Sequence, residues 1–146
     1  MNVRRETCIH EAGHILVALR LGMEIKSVEI RFAGGALTRT LDRRRPQRES
    51  VLRYITVALG GPAASKQIES LEGCRTDYRN VARALASIED PRERAAIEAE
   101  ARRMAERIVD QRWGELSAIA LRLEVCRRLS GDDLRELLAP RHRAAA

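Results

Sequence analysis

Ile9-His10-Glu11-Ala12-Gly13-His14-Ile15-Leu16 places two histidines four residues apart, with a glutamate directly after the first. On an α-helix, residues i and i+4 stand on the same face, so the two imidazoles can share one metal ion. A helix is expected over Arg4 to Leu21. Ile9, Ala12, Leu16 and Leu19 recur at three- and four-residue intervals, and Gly22 follows as a stop signal. Neutral imidazole binds zinc, and a catalytic zinc keeps three protein ligands and an open fourth position, so another residue must complete the set. Glu11 projects close to that open position and is the candidate general base. The blander reading has His10 and Glu11 facing solvent and His14 packed in a core. Two of the chain's three histidines falling at this spacing weighs against it.

The 146 residues fit one domain. Aromatic residues make up 3% and charged residues 33%, and the mean hydropathy is −0.34, a balance that suits a helix-rich chain with a core of Leu, Ile, Val and Ala. The longest purely aliphatic run, Ile15 to Leu19, is far short of the roughly 20 residues needed to cross a bilayer. Met1 to Glu6 has no signal-peptide pattern, so the expected location is cytoplasmic. Cys8, Cys74 and Cys126 are widely separated and are read as reduced packing residues. The formal charge of +6 comes from 27 basic and 21 acidic residues, with Lys26 and Lys66 the only lysines. Arg43-Arg44-Arg45 and Arg48 raise the question of nucleic-acid binding. The arginines, however, lie beside Glu and Asp along amphipathic stretches, and aromatic residues for base stacking are scarce. A solvated helical surface is the preferred account.

Outward from the first helix, Ile25, Val28, Ile30 and Phe32 suggest a strand, Ala33-Gly34-Gly35 a turn, and Ala36 to Leu41 a second strand. Asp42 to Glu49, with Pro46, reads as an exposed loop. Ser50 to Leu59 reads as a helix that Gly60-Gly61-Pro62 breaks or kinks, followed by a mixed apolar run from Ala63 to Leu71. Val81, Leu85 and Ile88 put a helix over Asp77 to Ile88. Asp90-Pro91 caps a long helix through Ile97, Ala101, Met104 and Ile108. Leu116, Ile119, Leu123 and Cys126 form another apolar face, with Gly114 a break before it. Ser130 caps a last helix, Asp132 to Leu138, and Arg141 to Ala146 is a frayed tail. Trp113 is expected to pack, His142 lies in the tail, and Cys74 is read as small filler with a metal role left open.

With these residues in view, the chain resembles the peptidase domain of the FtsH-type ATP-dependent zinc metalloproteases, beginning with Ile9-His10-Glu11-Ala12-Gly13-His14-Ile15. Gly35-Ala36-Leu37-Thr38-Arg39-Thr40 is similar to that family's strand after the motif. Ala58-Leu59-Gly60-Gly61-Pro62-Ala63-Ala64 looks like its glycine-pair helix. Gly73-Cys74-Arg75-Thr76-Asp77 resembles its glycine-to-aspartate segment, and Leu129-Ser130-Gly131-Asp132-Asp133-Leu134 its closing helices. The likeness covers roughly residues 6 to 139.

The resemblance implies a mainly α (α+β), zincin-like domain with a small two-stranded β element after the first helix. It implies zinc on His10, His14 and Asp77, with Glu11 as general base in peptide hydrolysis. The strand holding Ala36, Leu37 and Thr38 would bind an extended peptide by strand addition. Pro62 stands where a helix-compatible residue is expected. Ser65 stands where the family usually has a glutamate close to the zinc site, so an outer partner of the metal is expected to be missing. No ATPase domain or membrane anchor precedes the motif here, so flexible or unfolded polypeptides are the expected substrates. A separate ATPase or adaptor chain and a homo-oligomer are left open as partners. The competing expectation is a non-catalytic zinc-containing module that binds a peptide or partner.

Overall fold

Helix α1 (Arg5–Arg20) is the buried axis around which the other elements pack. The computed structural model describes residues 5–31, 34–35 and 44–140. From Cys8 to Ala18 every residue of α1 is buried, so the expected amphipathic helix is instead covered on all sides. Helix α2 (Gln47–Gln67) lies against one side and α5 (Trp113–Cys126) against another, while α4 (Pro91–Gln111) also touches α1. A helix covered in this way loses the polar face that periodicity relies on. The chain leaves α1 through Gly22 at φ +73°, with Met23 N–H bonded to Ala18 O and Gly22 N–H to Leu19 O, the closing pattern a left-handed glycine allows.

Helix α2 corrects the expected break, because it runs through Gly60, Gly61 and Pro62 without interruption. Pro62 removes one intrahelical hydrogen bond, at a cost of about 3 kcal/mol in an ordinary helix interior. Packing offsets that cost. A Cβ on Gly60 would stand 2.6 Å from Gly13 O, and one on Gly13 would stand 2.3 Å from Gly60 O, so the two backbones meet where neither residue has a side chain. The helix also begins earlier than expected, at Gln47. Arg45 and Arg48, read as part of a basic loop, are paired with Glu49 at 2.5 Å and Glu100 at 3.0 Å.

Helix α3 (Cys74–Leu85) follows Gly73, whose φ is +79°. It starts three residues before Asp77, which therefore lies within the first turn and does not open the helix. Asp90 caps α4 as expected, its Oδ1 accepting from Arg92 N–H at 2.9 Å. Ile97, Ala101, Ala105 and Val109 form the buried stripe of α4, while the expected Met104 and Ile108 are only half-buried. The break before α5 falls at Arg112 rather than Gly114. Cys126, placed by sequence on its apolar face, is exposed. Trp113 is half-buried against the core.

Among the described residues the β element is small. β1 (Ser27–Arg31) pairs antiparallel with β2 (Gly34–Gly35) on one side and with β3 (Arg128–Ser130) on the other, giving the strand order β2-β1-β3. Val28 faces Leu129 in register and both are buried. The glycines expected to form a turn are the strand β2 itself, and the expected second strand, Ala36 to Leu41, lies outside the described residues, as do Phe32, Ala33, Arg43 and Arg141 to Ala146. β3 leads into α6 (Gly131–Leu138), where Ser130 and Asp133 cap each other. The fold is mainly α with a small β element, as expected.

Candidate metal centre

The four-residue spacing on α1 brings His10 and His14 together, their ring centroids 4.8 Å apart and the rings nearly perpendicular. Their Nε2 atoms are 3.1 Å apart. Asp77 arrives from α3, and its Oδ2 stands 2.9 Å from His10 Nε2 and 3.2 Å from His14 Nε2. All three residues are buried, with His10, His14 and Asp77 exposed by 4%, 3% and 4%. Burial by itself would push the Asp77 carboxyl up. The two histidines beside it outweigh that effect, and the carboxyl is held well below the usual carboxylate range.

Three such donors meeting at one point suit a cation. In a tetrahedral zinc site with bonds of about 2.0–2.1 Å, neighbouring ligand atoms lie about 3.3 Å apart. The observed triangle of 2.9, 3.1 and 3.2 Å is close to that edge. The space beside it is kept open by glycine. A Cβ on Gly61 would fall 2.4 Å from His14 Nε2 and 2.6 Å from His10 Nε2, and one on Gly73 would fall 2.8 Å from His10 Nε2. The residues present therefore fit a small cation coordinated by two imidazoles and one carboxylate.

Glu11 is also buried, and donor atoms of His10, Glu11 and His14 lie within 4.8 Å of one another. Two carboxylates thus compete for the third ligand position. Asp77 Oδ2 lies within 3.2 Å of both Nε2 atoms, and Glu11 is a second buried carboxylate of the same cluster.

Each imidazole is oriented from behind. His14 Nδ1 lies 2.8 Å from Val57 O and 3.3 Å from Gly61 N. A carbonyl oxygen only accepts, so the shorter contact assigns the proton to Nδ1 and leaves Nε2 its lone pair. His10 Nδ1 lies 2.9 Å from Ser65 Oγ. The outer partner expected to be missing at Ser65 is therefore present, as a hydroxyl.

The structure brings together His10, Glu11, His14 and Asp77 from the sequence reading. Ala36, Leu37 and Thr38 lie outside the described residues. Sequence reasoning did not find Gly61, Gly73 or the Val57 carbonyl as walls of the site, and it read Ser65 as a missing partner. The glycine pair carried a usable signal, since two adjacent glycines inside an otherwise helical run indicate a close approach as readily as a break. Among the described residues no helix is long and apolar enough to cross a membrane. Compared with protein-family models and with curated proteins, the chain matches none.

Proposed function

We propose that this chain is a zinc-dependent metalloendopeptidase that hydrolyses peptide bonds in flexible or unfolded polypeptides. One observation carries the reading: two imidazole nitrogens and one carboxylate oxygen converge within 3.2 Å of one another, next to a second buried carboxylate on the same helix. A purely structural zinc site closes its fourth position with a protein ligand and has no use for a neighbouring base. The sequence resemblance to the FtsH-type peptidase domains points the same way.

His10, His14 and Asp77 would hold the metal. A zinc ion bound there supplies Lewis acidity, polarising a peptide carbonyl and making water acidic enough to lose a proton near neutral pH. Glu11 would be the group that moves a proton from the attacking water to the leaving amine. Asp77 would contribute one negative charge to the ligand set. Buried donors favour a substrate that enters as an extended, unstructured segment, because a folded surface cannot reach them. A location in the cytoplasm belongs to the same proposal.

The test is zinc content and cleavage of casein or a peptide library, for the parent and Glu11→Gln. The expected result is stoichiometric zinc in both and cleavage only by the parent. Equal turnover by Glu11→Gln removes Glu11 from the chemistry, and a parent that binds no zinc ends the reading. Zinc bound with no cleavage by the parent leaves a non-catalytic peptide- or partner-binding module.

A further inference from the structure

Gly61, Gly73 and Asp77 all face His10, and each is followed in the chain by a residue that lines a different space. Pro62, Cys74 and Tyr78 belong to a cavity of about 420 Å³ between α2, α3 and α4. The cavity and the metal centre thus lie back to back across α2 and α3. The floor is apolar, since Leu59, Pro62, Ala63 and Cys74 are all buried. Its volume falls within the about 300–1,000 Å³ of small-ligand sites.

The mouth of the cavity is apolar too, and there it is exposed. Leu71 is 85% exposed and Tyr78 44%, two of the four large hydrophobic side chains left in solvent among the described residues. The backbone holds Leu71 in place. It lies between Glu69 at φ +54° and Gly73 at φ +79°, with Ser70 N–H bonded to Ser65 O and Cys74 N–H to Leu71 O. A left-handed glutamate is uncommon. Exposed apolar surface that continues into an apolar cavity marks a place of contact with another molecule.

Charge decides which kind of molecule. The lining sets Lys66 and Arg102 against Glu69 and Glu106, a balance that favours neither an anion nor a cation. Lys66 Nζ is paired with Glu106 at 3.1 Å and Arg102 with Glu98 at 3.3 Å, so neither cation is held ready for a phosphate. An uncharged apolar side chain suits the floor, and charged groups around it can hydrogen-bond the peptide amides on either side. An unfolded polypeptide offers both.

We propose that this cavity is an anchoring site for an apolar side chain of an unfolded polypeptide, separate from the metal centre. That the bound polypeptide is also the substrate rests on the zinc reading above; the binding itself does not. Anchoring on α2 and α3 keeps an extended chain beside the two helices that wall the metal centre and raises its effective concentration there.

The experiment measures, by fluorescence anisotropy with a chelator present, binding of a labelled unstructured peptide with three central leucines and of its counterpart with three serines. The leucine peptide is expected to bind at least about tenfold more tightly. Ala63→Phe, which fills the cavity, and Leu71→Ser, which removes its lip, are each expected to weaken that binding about tenfold. Leu121→Ser, a change at an exposed leucine on α5, is expected to leave it unchanged. A photoreactive leucine in the peptide should attach within residues 59–78 or 102–106, as read by mass spectrometry. Attachment elsewhere, parent-like affinity in either cavity variant, or an equal loss in Leu121→Ser overturns the inference. So does self-association of the parent that Leu71→Ser abolishes, because the occupant is then a second copy. Circular dichroism checks folding; if Ala63→Phe does not fold, Leu71→Ser, a change in solvent, decides. A parent that cleaves casein yet binds both peptides equally ends this inference and leaves the zinc reading. A parent that holds no zinc yet prefers the leucine peptide does the reverse.

Discussion

A methyl group placed on Gly61 would stand 2.4 Å from His14 Nε2, closer than unbonded atoms can approach. The residue that looks like a helix breaker is the one that lets α2 lie against the face of α1 that carries His10 and His14. Gly61→Ala should therefore abolish zinc binding and lower the melting temperature, because the obstructing atom meets two rings held from behind. Gly114→Ala is the control: its Cβ meets nothing within 4 Å, and it lies in a helix. That change should leave zinc binding alone and stabilise by about 0.5–1 kcal/mol. Calorimetry and zinc titration of the two variants check both statements.

Zinc should stabilise the folded chain by mass action. At a free concentration a hundredfold above Kd the gain is about 2.7 kcal/mol. Thermal unfolding should therefore move up on adding zinc and back on adding a chelator. In Asp77→Ala, which leaves two imidazoles and no carboxylate ligand from α3, the zinc-dependent shift should largely disappear. An undiminished shift would show that Asp77 is not a ligand.

Thiol labelling should sort the three cysteines. Burial, followed by the charges of Glu124 and Glu11, pushes the Cys8 thiol up to about 11, and burial raises Cys74 as well. Both are buried, whereas Cys126 is exposed. The thiolate is the reactive form, so a maleimide near neutral pH should modify Cys126 first. Mass spectrometry should find the other two modified only after denaturant is added.

The cap of α6 should be sensitive to acid. Hydrogen bonds from the Ser130 backbone N–H and then its side chain hold the Asp133 carboxyl below its ordinary 3.8. A carboxyl depressed in the folded state contributes stability above its unfolded value, and this is lost as pH falls through the folded one. Asp133→Asn should thus destabilise near neutral pH, and its difference from the parent should vanish in strong acid. A difference that persists there would mean that charge has no part in the cap.

In the core, Ile119→Ala should cost about 2–5 kcal/mol, since Ile119 is fully buried on the α5 face that packs against α1. Denaturant unfolding with an unchanged slope measures it.

Local chemistry made much of this protein legible in its sequence. The Asp90-Pro91 cap, the Ser130 cap and the Gly22 stop each depend on neighbours within a few residues, and so does the four-residue spacing that stacks His10 on His14. The packing of helices was not local, and the sequence reading failed where packing decided. Gly60-Gly61-Pro62 reads as a break because propensity counts the chain alone, yet a helix stripped of side chains at one point is what permits α1 and α2 to meet there. The stripe on α1 was read as one-sided because periodicity cannot see a second helix on the other side. β3 stayed hidden because three residues carry no period and pair with a strand about a hundred positions earlier. Ser65 was noticed only as a departure from a family pattern. Its contact with His10 exists because α2 continues through Pro62, a result of tertiary packing that no run of residues in the sequence encodes.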